Sequence, residues 1–171
     1  MLTVFGGLPG VGKSAIARRV AELRRAAYLR VDVIESALIT SGLVPAQAVM
    51  GTAGYEIAQE LARSNLDAGI DVVVDAVNPV AAARDGWQRV SEATATPLLF
   101  VEVICSDRSE HRRRAEARAS DLPGICVPTW EQVESRKYEP WQGPRLVVDN
   151  LTDVTVGIDV VIRAIEESTA R

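Results

Sequence analysis

The sequence predicts an α/β protein built on a parallel sheet of about five strands, and three observations carry that reading. Apolar strand-like runs alternate with helical patterns along the whole chain. Several of those runs are rich in Val, Ile and Leu without polar alternation, as strands covered on both faces require. The first run passes directly into a glycine-rich loop that opens a helix.

Taken in order, the strand candidates are Leu2–Phe5, Tyr28–Val31, Asp71–Val77, Leu98–Ile104 and Leu146–Val148. The first helix is expected from the glycine loop to about Ala26, and a short second one follows Asp32 and stops at Ser41-Gly42. Pro45 suits the first position of a helix ending near Ala68-Gly69. Asp107-x-x-Glu110 and Thr129-x-x-Gln132 read as capping boxes or near relatives, and the last helix runs from Val154 to about Ser168. Asp121-Leu122-Pro123-Gly124 is the clearest loop, set between two helices.

The 171 residues suit one domain, with 47% apolar and 25% charged residues and a net charge of -4. No apolar stretch is long enough to span a membrane, and the first run is too short for a signal peptide, so a cytoplasmic location is expected. The acidic balance argues against a nucleic-acid or membrane footprint. Cys105 and Cys126 fit no metal-ligand spacing and are read as packing thiols; the single histidine, His111, has no triad motif around it.

Gly7-Leu8-Pro9-Gly10-Val11-Gly12-Lys13-Ser14 matches G-x-x-x-x-G-K-[ST] at every fixed position, in the strand–loop–helix context that the mechanism needs. A polyphosphate requires several amides turned inward, and the following helix, through Ala15, adds its unpaired N–H groups and positive dipole end. Lys13 is expected at the β- and γ-phosphates, with the Ser14 hydroxyl on Mg²⁺.

Two strands end in acids. Asp32 follows Tyr28–Val31, at the edge where ligands bind; it suits a base for an attacking hydroxyl, and equally a helix N-cap. Asp75 closes Asp71-Val72-Val73-Val74, a Walker B-like run whose acid would bind Mg²⁺ directly or through water. Asn78 and Arg84 follow as candidate acceptor contacts, or else as a capped loop and a solvated helix face. Arg114 and Arg118 share a helix face just before the Pro-Gly loop, which suits closure over a triphosphate; the alternative is a basic face paired with Glu110 and Glu116.

The segments GLPGVGKS, VDVIESAL and AGIDVVVDAVNP, with Cys105-Ser106-Asp107 followed by Arg114 and Arg118, resemble the AAA-domain P-loop kinases that include chloramphenicol phosphotransferase and polynucleotide kinase domains. The stretch from Val127 to Trp141 looks like a bacterial subgroup of them, so the resemblance spans nearly the whole chain. It implies a single P-loop kinase domain over 1–171, strand order 2-3-1-4-5, and a helical lid at about 114–135. It further implies Asp32 as general base, Arg118 on phosphate, Arg114 at the adenine, and Asp149-Asn150 closing around the base.

The expected activity is transfer of the γ-phosphoryl of Mg·ATP to a hydroxyl of a small-molecule acceptor. ATP and Mg²⁺ are the implied cofactors, adenine being favoured because no N-K-x-D motif is present. Two alternatives stay open: a regulatory ATPase module acting through a protein partner, and a polynucleotide 5′-hydroxyl kinase. The second is disfavoured because none of Trp87, Trp130 and Trp141 sits in a basic cluster. Monomer and homodimer both remain open, and Ser41–Tyr55, where the acceptor region falls, carries no motif.

Overall fold

A computed structural model describes residues 1–44, 52–151 and 153–169. Five parallel strands form one sheet in the order β2-β3-β1-β4-β5: β1 Leu2–Gly6, β2 Ala27–Arg30, β3 Val72–Asp75, β4 Leu98–Ile104 and β5 Leu146–Asp149. The expected parallel sheet and its order are what the structure shows. The helices are α1 Lys13–Arg24, α2 Val31–Thr40, α3 Ala53–Asp67, α4 Ala81–Ala93, α5 Arg108–Glu116, α6 Trp130–Glu134 and α7 Val154–Thr169. The expected helix start at Pro45 lies outside the described residues.

The sheet is buried on both faces, and the alternation of each strand divides its side chains between two cores. Val72 and Val74 of β3 join Leu2, Val4, Trp87 and Phe100 on the face covered by α3 and α4. Val73 points the other way, with Phe5, Val101, Val103 and residues of α1 and α7. This two-sided burial explains why the strand runs lack polar alternation. Trp87 has no exposed surface, and its indole N–H donates to the Asn78 Oδ1 at 2.9 Å, which satisfies the one polar group it carries inward.

Element ends follow local chemistry. Asp107 caps α5 by accepting from the Ser109 and Glu110 amides, but Glu110 does not complete a box; it pairs with Arg113 and Arg114 instead. Thr129 and Gln132 form the full reciprocal box at α6. β2 lies one residue earlier than expected: it ends at Arg30, and Val31 and Asp32 already belong to α2. Among the described residues no helix is long and apolar enough to cross a membrane.

Candidate active site

β1 delivers the chain to Gly7 at the carboxyl edge of the sheet, and the loop that follows adopts positive φ at Gly7, Gly10 and Gly12. A Cβ on Gly7 would lie 2.3 Å from the Val103 carbonyl oxygen. One on Gly10 would touch the Ala115 backbone of α5, and one on Gly12 would meet the Asn150 amide at 2.1 Å. The loop is therefore closely enclosed by its own protein on the side away from the cavity, which adds a second reason for its glycines beside the approach of a ligand. At α1 no side chain caps the helix and no acid stands in its first turn, so the dipole end faces an open cavity of about 350 Å³ lined by Gly10, Gly12, Lys13, Ser14 and Ala15.

Three contacts brace the loop. The buried His111 faces the Pro9 oxygen through Nε2 at 2.8 Å; a carbonyl can only accept, so that nitrogen carries the hydrogen. Its ring meets Trp130 edge-on, with centroids 5.1 Å apart. Asn150 donates from Nδ2 to the Val11 oxygen at 2.9 Å, and Gly7 donates its amide to the Val77 oxygen.

Lys13 is 6% exposed, and burial pushes its pKa below the ordinary lysine value, opposed first by Asp75 and then by Asp32. Asp75, at the end of β3, is 2% exposed and accepts the Tyr28 hydroxyl at 2.8 Å. Burial, with Asp75 beside it, holds the Tyr28 phenol protonated well above the usual range, so it remains a donor. Asp32 sits in the first turn of α2 rather than at its cap, which Arg30 occupies without a side-chain bond. Its Oδ2 lies 3.5 Å from Arg30 Nη2 and 3.9 Å from Arg118 Nη2.

A second cavity, of about 380 Å³, adjoins the first; Lys13, Arg30, Arg118 and Asp121 line both. Asp32, Glu35, Tyr55 and Arg136 line only the second, between apolar walls from Val31, Val77 and the 122–128 segment. The structure thus brings Lys13, Asp32 and Arg118 together around one junction, with Asp75 among the charges acting on Lys13.

Asn78 and Arg84, expected as acceptor contacts, are instead engaged inside the protein. Asn78 is buried with positive φ, its amide group donates to the Phe5 oxygen and accepts from Trp87, and its own backbone N–H donates to the Tyr55 hydroxyl. Arg84 is buried against Trp141 and donates to the Asn78, Glu139 and Pro140 carbonyls. Neither lines the cavity, because the polar atoms of both already knot β1 and α4 to the 139–141 turn.

Arg114 is neither a solvated face nor free: it donates to Glu110 and to the Asn150 and Leu151 carbonyls, clamping α5 to the loop after β5. Asp149 accepts the Ser106 amide. The Pro-Gly loop lies over the site, tied to the end of β2 and to α2: Arg30 pairs with both oxygens of Asp121 at 2.6 and 2.9 Å, and Ser36 donates to the Pro123 oxygen at 2.7 Å.

Arg30, Glu35, Tyr55, Asp121 and Arg136 line the second cavity and His111 braces the loop, and no motif in the sequence marks them. One signal was present for His111: it lies four residues before Ala115, so both share the face that meets Pro9 and Gly10.

A family model described as an AAA domain matches residues 2–132. A protein of Aeropyrum pernix named "Probable adenylyl-sulfate kinase" is 29% identical over 164 residues, covering 84% of this chain and 79% of the relative. Among solved structures, the APS kinase CysC of Mycobacterium tuberculosis in complex with AMPPNP and APS superposes with a TM-score of 0.71 at 22% identity, covering 96% of each chain. A gluconokinase from Sinorhizobium meliloti 1021 gives 0.65 at 17%, covering 96% of this chain and 91% of its own. Kti12 of Chaetomium thermophilum in complex with ADP-AlF3 gives 0.63 at 19%, covering 98% of both. At these identities the solved structures establish the fold alone, and with the matched family model the chain belongs to the AAA-domain family of P-loop kinases.

Proposed function

We propose that the protein transfers the γ-phosphoryl group of Mg·ATP to a hydroxyl of a small molecule, with Asp32 as general base. The observation that carries this reading is the junction of two cavities at Lys13 and Arg118, with Asp32 lining only the second of them. The similarity to kinases whose names specify small acceptors supports it.

The amides from Gly10 to Ala15 and the α1 dipole hold the phosphate chain. Arg114, Asp149 and Asn150 frame the loop beside which the adenine lies. Ser14 and Asp75 offer a hydroxyl and a carboxylate oxygen, hard donors that suit Mg²⁺. When bound, that ion offsets charge on the phosphate oxygens.

An acceptor hydroxyl placed in the second cavity gives its proton to Asp32 as its oxygen bonds to the γ-phosphorus, and the bond to the β,γ-bridging oxygen breaks. Lys13 and Arg118 stand where negative charge develops on the moving group. Positioning and charge do most of the work, as little covalent chemistry falls to the protein.

ADP formation is expected to depend on an added alcohol when a broad panel is supplied, and equal hydrolysis with and without the panel would reject a kinase. Asp32→Asn should lower turnover by about 10²-fold or more while nucleotide affinity stays within a few-fold. Undiminished turnover would remove Asp32 from the reaction.

A further inference from the structure

Arg30 has no place in the phosphate motif, yet it stands at the centre of the site. It ends β2 in register with Asp75, is 6% exposed, and lines both cavities. Its three nitrogens are unequally matched. Nη1 and Nη2 grip Asp121 at 2.6 and 2.9 Å, Nη2 also reaches Asp32 at a loose 3.5 Å, and the buried Nε has no partner among the described residues. Asp121, by contrast, belongs to the loop between α5 and α6 and is 55% exposed.

The asymmetry has a consequence for chemistry. A buried guanidinium that loses its carboxylate is strongly unfavourable and moves to the nearest one left. Asp75 already receives the Tyr28 hydroxyl, so Asp32 is the carboxylate within a small side-chain movement. A cation in full contact stabilises the charged form of a carboxylate and weakens it as a base.

We propose that Asp121 arms the base: lying down over the site, it takes the Arg30 guanidinium in a two-pronged pair and keeps that cation at a loose 3.5 Å from Asp32 rather than in full contact. With the loop away, Arg30 falls onto Asp32 and quenches it, so a nucleotide exposed to water meets no competent base. Arg30 and Asp121 are then positioning residues, and the inference rests on reading Asp32 as the base.

Asp121→Asn keeps the shape and removes the charge. The expected result is a fall in kcat of about tenfold or more, with the nucleotide KM unchanged or lower because a negative charge has left the phosphate cavity. Adding Arg30→Met should recover most of that loss, since the quenching cation is gone. A crystal structure of Asp121→Asn should show the Arg30–Asp32 contact drawn in from 3.5 Å to an ordinary hydrogen bond.

If Asp121 only ties the loop down, Asp121→Asn raises the nucleotide KM, Arg30→Met deepens the defect, and the 3.5 Å contact stays as it is; any of these overturns the proposal. The structure of the single variant decides the geometric half even if the double variant does not fold. If Asp32→Asn abolishes turnover while Asp121→Asn leaves it intact, the arming alone fails. If Asp32→Asn stays active, the base reading fails and the arming falls with it.

Discussion

Between Gly7 and Ala15 one short stretch of chain turns its backbone toward a cavity and is enclosed on its other side by Val103, Ala115 and Asn150. Across Lys13 the second cavity is assembled differently. Its polar groups are side chains from α2, α3, the 118–128 segment and the turn after α6, held by contacts such as Arg30–Asp121 and Ser36–Pro123. A cradle made of amides admits almost no substitution and recognises what all nucleotides share. A wall made of side chains can be altered one residue at a time, so under the proposed function the choice of acceptor falls to the second side.

The contrast is broken most directly at Gly7. A methyl group there meets a backbone carbonyl oxygen at 2.3 Å, at a φ of +141°. Neither partner yields without shifting β1 or β4. Gly7→Ala is expected to cost about 3 kcal/mol or more of stability and to abolish nucleotide binding. Thermal denaturation and calorimetric titration with ATP check both; a variant that melts normally and binds ATP would mean the cradle is more deformable than its neighbours imply.

His111→Ala probes the bracing of the cradle at smaller cost. It leaves the Pro9 carbonyl without its donor and a gap against Trp130, together about 2 kcal/mol. Nucleotide affinity is expected to fall several-fold while the acceptor KM is unchanged, since His111 lines neither of the two joined cavities. A change confined to the acceptor would show that the two regions are not separately supported.

These two regions also differ in how far the sequence discloses them. The cradle is contiguous, and its glycines, Lys13 and Ser14 were readable because one local motif supplies the whole geometry. Asp32 and Asp75 were readable as candidates because a parallel sheet carries strand ends to one edge, although Asp32 lies just past its strand, in the first turn of α2. Arg30, Asp121 and Arg136 were not, since their roles arise from approach across 91 residues in the Arg30–Asp121 pair, and no spacing records that. Asn78 and Arg84 were misread for a related reason: polarity beside a strand end looks functional until Trp87, Phe5 and the 139–140 carbonyls are seen to engage it.

The finest test falls on Glu35. Burial, with Asp32 nearby, pushes its pKa above the usual glutamate value, and among the described residues it has no hydrogen-bond partner. An acid whose folded pKa is raised destabilises the fold when ionised, so the cost is present above the folded pKa and is relieved as pH falls through it. Glu35→Gln is therefore expected to raise the melting temperature slightly at neutral pH and to lose that gain in acid as the wild-type group takes up its proton. The same variant should change the acceptor KM and leave ATP affinity alone, because Glu35 lines only the second cavity. A melting gain that persists unchanged in acid would assign the effect to packing rather than charge. An altered ATP affinity would show that the wall of side chains reaches across Lys13 into the cradle of amides.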